Sequence, residues 1–304
     1  MLVLVASRAT RALSLAAVLW LFALPSTARS QTGEAPSPGQ QIVLITGSTS
    51  GLGREVALRM GTRGAHVIVH GRDRERGMAV VDEINAGAGS ARFYSADFSS
   101  FANVRALADA VLTDYDRLDI LVNNAGFGSA PDERWVSEDG HEFRFQVNYL
   151  APFLLTSLLE ARIVESAPSR IVNVSSLAQR PIDWDDVMIE NDFSGGRAYG
   201  QSKLAQVGHT IDLHESLGSR GVLVTSLHPA TYMPTGMVAR AGVEPRATID
   251  EGADAVMQLI VGDVEGGLFY NQLTPQRAHA QAYDLESRRR LRELSERLTG
   301  AGSN

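Results

Sequence analysis

The stretch Ile42-Val43-Leu44-Ile45-Thr46-Gly47-Ser48-Thr49-Ser50-Gly51-Leu52-Gly53 decides the reading of this chain. Four apolar residues in a row suit a strand covered on both faces. They break into spaced glycines, and Leu52, Val56, Ala57 and Met60 then recur at the spacing of one helical face. Strand, glycine turn and helix in that order form a device for holding a phosphate. Gly47 allows a sharp turn, Gly51 removes a side chain that would keep a pyrophosphate from the backbone, and Gly53 lets helix and strand approach. The helix points its free N–H groups and positive dipole end at the anion. Gly47, Ser48, Ser50, Gly51, Leu52 and Gly53 are therefore candidate cofactor contacts.

Outward from this stretch, apolar strands and amphipathic helices alternate. Strands are expected at His66–His70, Ala91–Ser95, Leu118–Val122, Arg170–Val174, Val222–Leu227 and Leu268–Asn271. Helices are expected between them, including a long one from about Glu138 to Ala161, and another over the tail from Ala280 to Leu298. The pattern predicts a single α/β domain over residues 41–304, a doubly wound Rossmann-type parallel sheet of about seven strands with helices on both faces. Ligands on such sheets sit beyond the strand C-termini, where the strand order reverses.

The chain has 304 residues, 44% of them hydrophobic, enough for one large core. A formal net charge of −7 gives no basic face for nucleic acid, and the run Arg288-Arg289-Arg290 reads as a solvated helix face. Without cysteine there is no thiol nucleophile, disulfide or thiolate metal site, and nothing resembles a metal centre. Arg8 and Arg11, the apolar run Ala12–Leu24 and the small residues to Ser30 describe an export signal over residues 1–30. Retained, the same segment would anchor the protein to a membrane; with a start further downstream, it would not be made. Export or anchoring puts the protein in the periplasm or at a membrane, and the third reading leaves it in the cytoplasm. Residues 31–40, rich in Gly, Pro and Ser, read as a flexible lead-in.

The second strand closes as Val69-His70-Gly71-Arg72, with glycine where an acid that binds a ribose 2′-hydroxyl is expected. Arg72, with Arg54 just past the glycine loop, favours the extra phosphate of NADP(H) over NAD, which stays the alternative. Asp73 could pair with Arg72 and weaken that preference. Asp97 and its neighbour Phe98, at the end of the third strand, are candidates for the adenine side, and Asp97 could equally serve the start of the next helix.

Tyr199 and Lys203 stand four apart on one helix face. A tyrosine is a poor base at neutral pH, and an ammonium one turn away lowers its pKa. Asn173-Val174-Ser175-Ser176 places hydroxyls at a ligand-facing strand end, where a serine can bond a carbonyl oxygen as charge changes on it. Asn148 lies in the preceding helix. Together they describe proton relay beside hydride transfer.

With these residues in view, the chain resembles the short-chain dehydrogenase/reductase family, in its retinol-dehydrogenase-like branch, over about residues 42–300. The matching elements are Thr46-Gly47-x-x-x-Gly51-x-Gly53, Asn123-Asn124-Ala125-Gly126, Asn148, Ser176, Tyr199-x-x-x-Lys203 and His228-Pro229, with Phe153-Leu154-Leu155-Thr156 and Leu294–Gly300 as further shared strings. The resemblance implies that Tyr199 exchanges the substrate proton, Lys203 lowers its pKa and binds the nicotinamide ribose, Ser176 rather than Ser175 polarises the substrate oxygen, and Asn148 supports a water-linked relay. It implies that Asn123, Ala125 and Gly126 line the adenine-ribose side and that Pro229 and Thr231 help to place the nicotinamide. Ala230 departs from the family's usual glycine there, and alanine tolerates fewer backbone conformations. A homo-oligomer and a small alcohol, aldehyde or ketone substrate are also implied.

The connection from Ser176 to Tyr199 carries Pro181, Trp184, Met188 and Phe193. It reads either as an apolar lid for a hydrophobic substrate or as a plug that fixes the loop to the body. The intact set of four disfavours a non-catalytic dinucleotide sensor on the same fold. Too little chain follows for the larger substrate region of nucleotide-sugar epimerases and dehydratases. An export signal sits awkwardly with NADP, which is scarce outside the cytoplasm.

Overall fold

The computed structural model describes residues 33–301, so the proposed signal or anchor over residues 1–30 lies outside the described residues. Residues 33–40 are irregular and mostly exposed; Gly33 packs on the backbone at Ala91, and the segment is tied to the body by Gln40. Its side-chain amide donates to the Gly64 carbonyl at 3.0 Å and accepts from Ser90 Oγ at 2.9 Å.

Six strands follow in parallel: β1 (Ile42–Ile45), β2 (His66–Gly71), β3 (Ser90–Ser95), β4 (Ile120–Asn123), β5 (Ser169–Val174) and β6 (Val222–His228). β7 (Phe269–Asn271) joins them in parallel, and a two-residue β8 (Thr274–Pro275) closes the edge in antiparallel register, the strand that the sequence pattern missed. Both residues of β8 are exposed, so they carry no apolar signal. The order is β3-β2-β1-β4-β5-β6-β7-β8. It reverses between β1 and β4, with Val43 beside Ile120 and Ile45 beside Val122. That reversal splays the outgoing loops apart and opens a crevice at the strand C-termini.

On one face lie α1 (Gly51–Thr62), α2 (Arg74–Asn85) and α8 (Ile249–Val261); on the other lie α3 (Phe101–Asp114), α5 (Ala151–Glu165) and α6 (Gly195–Leu217). β1 shows why its run is unbroken: Val43 and Ile45 enter one core while Ile42 and Leu44 enter the other. Each such side chain fully buried contributes about 1.5–3 kcal/mol. The stripe Leu52, Val56, Ala57 and Met60 is buried as the spacing predicts.

The expected helix from Glu138 begins later, at Phe143, and runs to Glu165 in three parts. A single turn α4 (Phe143–Phe145) leads into a π-helical stretch Gln146–Leu150 and then α5. Residues 138–142 instead form a turn, in which Asp139 Oδ2 accepts from Phe101 N at the start of α3. Phe143–Glu165 is long and apolar enough to cross a membrane by length and composition alone, but most of it is buried against α3 and the sheet. The tail breaks at Asp284, which caps α9 (Leu285–Thr299) by accepting from Ser287 N; a 3-10 turn (Ala280–Tyr283) precedes it. The arginine run there is not uniformly solvated. Arg288 is buried and pairs with Asp212 and Glu215, Arg289 bridges Glu286 and Glu293, and Arg290 lies 4.8 Å over the Trp184 ring.

Candidate active site

A cleft of about 1770 Å³ opens where the strand order reverses, walled by the C-terminal ends of the central strands and by the short helix α7 (Gly236–Arg240). The glycine turn lies at its floor. Gly47 and Gly51 hold φ of +66° and +55°, a region that costs other residues strain. A Cβ on Gly53 would stand 2.4 Å from the Gly47 carbonyl oxygen and 2.3 Å from Asn124 Nδ2, so the helix can meet the turn only through glycine. Ser50 starts α1 without a side-chain cap. The first N–H groups of that helix are thus not closed off by their own cap, which suits an anion.

The structure brings Gly47, Ser50, Gly51, Leu52, Gly53, Arg72, Asp97, Phe98, Ala125, Gly126, Ser176, Tyr199, Lys203, Pro229 and Thr231 to the wall of this one cleft. Ser48, Arg54, Asn123 and Asn148 stand off it. Ser48 is buried, donating to the Ile45 carbonyl at 2.7 Å and accepting from His70 N at 3.0 Å. Asn123 ties β4 to its surroundings through Thr156 and Asn173. Arg54 pairs with Glu83 on α2. The second guanidinium at this end is instead that of Arg76, one turn into α2, which lines the cleft. Asp73 caps α2 and pairs with Arg76, while Arg72 pairs with Asp97 at 3.3 Å, so the suspected Arg72–Asp73 pair does not form. Asp97 also accepts from Ser99 N, at 2.9 Å. These bonds and Arg72 hold its carboxyl below the usual range, against the opposing effect of burial.

His70 also escaped the sequence reading. Its Nδ1 accepts from Gly47 N at 3.1 Å and its Nε2 faces the Ala96 carbonyl at 3.2 Å, which fixes the neutral tautomer and clamps the glycine turn to β3. Burial pushes its pKa down to about 4, so it stays neutral in this role.

At the other end of the cleft, the Ser176 hydroxyl, from the loop after β5, neighbours the Tyr199 phenol, and its Oγ accepts from Ala178 N at 3.1 Å. Ser175 is spent on the Lys203 carbonyl at 2.7 Å, which leaves Ser176 as the hydroxyl free to act. Burial raises the Tyr199 phenol above its ordinary range, and the neighbouring Ser176 hydroxyl acts in the opposite direction. Lys203 does not bond that phenol. Its Nζ lies 5.7 Å from the ring centroid and donates to the Val174 carbonyl at 2.8 Å and to Gln206 Oε1 at 2.9 Å. Both acceptors are neutral and the site is buried, so the ammonium pKa falls to about 7. Gln206 is a second residue that the sequence reading missed; its position one turn beyond Lys203 was the available signal.

Asn148 stands behind the wall, within the π-helical stretch, a device that re-aims one side chain inside a helix. Its Oδ1 accepts from Phe127 N at 2.7 Å, and its Nδ2 donates to the Phe127 carbonyl at 3.0 Å and to Ser202 Oγ at 2.9 Å. It pins the Ala125–Phe127 loop to α6, one residue from Lys203. His228 bonds Thr231 at 3.0 Å, and Tyr232 follows with φ of +53°.

The long loop divides the lid expectation. Pro181 lines the cleft, but Trp184, Met188 and Phe193 do not. Trp184 and Met188 pack on the core, and Phe193 lies under Arg144, 5.4 Å from its Cζ. They act as the plug. The apolar wall comes from elsewhere: Phe127, Phe143, Val147, Leu177, Met233 and Met237. Among the described residues no group of three or more His, Cys, Asp or Glu is placed to hold a metal ion.

This site on a doubly wound sheet has known counterparts. The family model for short chain dehydrogenases matches residues 41–245, and the chain belongs to that family of NAD(P)-dependent oxidoreductases, on its retinol-dehydrogenase-like side. The human protein named retinol dehydrogenase 13 is 32% identical over 290 residues, covering 88% of this chain and 86% of that protein. Among solved structures, an uncharacterised protein from Mycobacterium paratuberculosis is similar at a TM-score of 0.73 and 30% identity, over 89% of this chain and 98% of its own. The Pseudomonas aeruginosa RhlG/NADP complex is similar at 0.63 and 26%, over 78% and 97%.

Proposed function

We propose that this protein is an NADP(H)-preferring oxidoreductase that interconverts a hydrophobic carbonyl compound and its alcohol, with Tyr199 as the general acid and base. The observation that carries the reading is the placement of Ser176, Tyr199 and Lys203 at one end of a cleft whose other end is the glycine turn. The glycines leave room for a pyrophosphate against the backbone, and the cleft wall that carries them also carries Arg72 and Arg76, which supports a contact to a 2′-phosphate. The residues therefore fit a dinucleotide, which supplies or takes the hydride when bound.

Each remaining step belongs to the chain. Ser176 donates a hydrogen bond to the carbonyl oxygen as negative charge grows there. Tyr199 delivers the proton to that oxygen in reduction and takes it back in oxidation. Lys203, brought to its charged form beside an anionic, hydroxyl-rich partner, stabilises the phenolate that proton transfer leaves. Asn148 positions: it holds the Phe127 loop against α6 so that the three groups keep their spacing. Phe127, Phe143 and Met237 exclude water from the reacting carbon. A retinoid-like or other apolar substrate suits that wall, and the human retinol dehydrogenase relative supports the class. Residues 41–304 act as one catalytic domain in this reading, with residues 1–30 as its signal or anchor.

The test is a panel of apolar aldehydes and ketones offered to purified protein with NADPH or NADH. Oxidation of NADPH in preference to NADH with several members is expected. Tight nucleotide binding without consumption across the whole panel would point to a sensor instead.

A further inference from the structure

The cationic side chains at the substrate end of the cleft are not explained by an apolar carbonyl compound. Arg180, Arg197 and Arg240 line the cleft there, while among the described residues the acids on its wall are Asp73 and Asp97, after the second and third strands. Arg197 is neutralised by Asp183 at 2.5 Å. Arg180 and Arg240 form no ion pair among the described residues, in a chain whose net charge is −7 and whose other surface arginines mostly find carboxylates.

Both are seated against the reaction centre. The Arg180 backbone N–H donates to the Gly200 carbonyl at 3.1 Å, and its Cγ lies 2.5 Å from where a Gly200 Cβ would be. Glycine immediately after Tyr199 is what admits the Arg180 stem. Arg240, at the end of α7, lies 5.5 Å over the ring of Phe127. That ring is set by Trp135 and Phe143, and its backbone is held by Asn148. Arg180, whose stem lies beside Tyr199, and Arg240, beside Phe127, thus reach the wall of one cleft from separate elements.

We infer that the preferred substrate is an apolar aldehyde or ketone bearing an oxyanion, a carboxylate in the simplest case, at the end remote from the carbonyl. This rests on the proposed reductase reading and narrows its substrate class. The apolar chain lies along Phe127, Phe143 and Met237, and the anion is met by Arg180 and Arg240, for which a planar carboxylate is a bidentate partner.

The experiment compares three straight-chain aldehydes of equal length: one with a terminal carboxylate, its methyl ester, and the unsubstituted aldehyde. With NADPH saturating, the ratio of kcat/KM for acid over ester is read in wild type, in R240Q and in R180Q/R240Q. The wild-type ratio is expected to be roughly tenfold or more and to shrink with added salt. It is expected to fall several-fold in R240Q and to approach one in the double variant. An ester used as well as the acid by wild type, or a ratio that survives in the double variant, would overturn the inference while leaving the reductase reading intact. Turnover of none of the three, nor of any other carbonyl compound, would instead remove the reductase reading and this inference with it. A phosphate-terminated aldehyde preferred over the carboxylate would keep the oxyanion and replace the carboxylate assignment.

Discussion

Lys203 is the residue on which the site turns. Its ordinary pKa of 10.5 falls to about 7 because it is buried between two neutral acceptors. An anionic dinucleotide favours the charged form, so binding is expected to draw a proton from solvent between about pH 7 and 9. Calorimetry in buffers of different ionisation enthalpy measures that uptake, and none in this range would contradict the assignment. Gln206→Leu removes one of the two acceptors and is expected to lower kcat by about tenfold with little change in nucleotide affinity, while Gln206→Glu, which favours the ammonium, should raise the pH at which reductase activity falls. At the nucleotide end, Arg72→Ala is expected to raise the Kd of NADPH by roughly tenfold and that of NADH by less than about twofold, since a guanidinium–phosphate contact is the difference between them. Equal losses for both nucleotides would make Arg72 a general contact. Residue identities at this scale were legible where chemistry is concentrated, as in Tyr199, Lys203 and Ser176. Gln206 and His70 were not, because a glutamine or histidine in an apolar strand or helix looks the same whether it fills space or orients a neighbour. Arg54 follows the glycine loop directly and Arg76 follows the second strand, and only the path of α2, whose Glu83 takes Arg54, decides which guanidinium lines the cleft.

Among elements, the glycine turn and the helix it feeds are the most constrained. Gly53→Ala would place a Cβ 2.4 Å from a backbone carbonyl that no rotamer can move. It is expected to cost about 1–3 kcal/mol of stability and most of the nucleotide affinity together, by denaturation and fluorescence titration. A variant of wild-type stability and affinity would mean that the turn relaxes freely. The strands and α1 were readable because both faces of the sheet are buried, so unbroken apolar runs such as Ile42–Ile45, Val67–Val69 and Ile120–Val122 have no other use. The helix after β4 was misplaced by five residues at its start, because Glu138 to Gly140 look like a helical first turn but Asp139 is spent on capping α3. The π-helical turn at Asn148 has no sequence signal of its own, since it inserts one residue without altering the apolar pattern. Trp184 and Phe193 illustrate the same limit: apolar loop residues face either a cavity or the body, and composition does not choose.

Across the described residues, three buried histidines and the partly buried His209 report on the acid limb of stability. His66, His70, His209 and His228 each fall from 6.5 to about 4 through burial. The unfolded chain binds these protons first, so each contributes stability that is complete above about pH 6.5 and is lost as pH drops toward 4, by up to roughly 3 kcal/mol apiece. Tm is expected to decline steeply over that window, and a flat profile between pH 7 and 4 would contradict the burial of these rings. The sheet order, the cleft at its reversal and the glycine turn in its floor join these parts into one site, and the central claim is that Tyr199 moves the proton there. The direct test is kcat/KM for carbonyl reduction in Tyr199→Phe, with the NADPH Kd measured on the same preparation. The account predicts a fall of at least about a hundredfold with the Kd held within about threefold; turnover at the wild-type rate with intact nucleotide binding would contradict it.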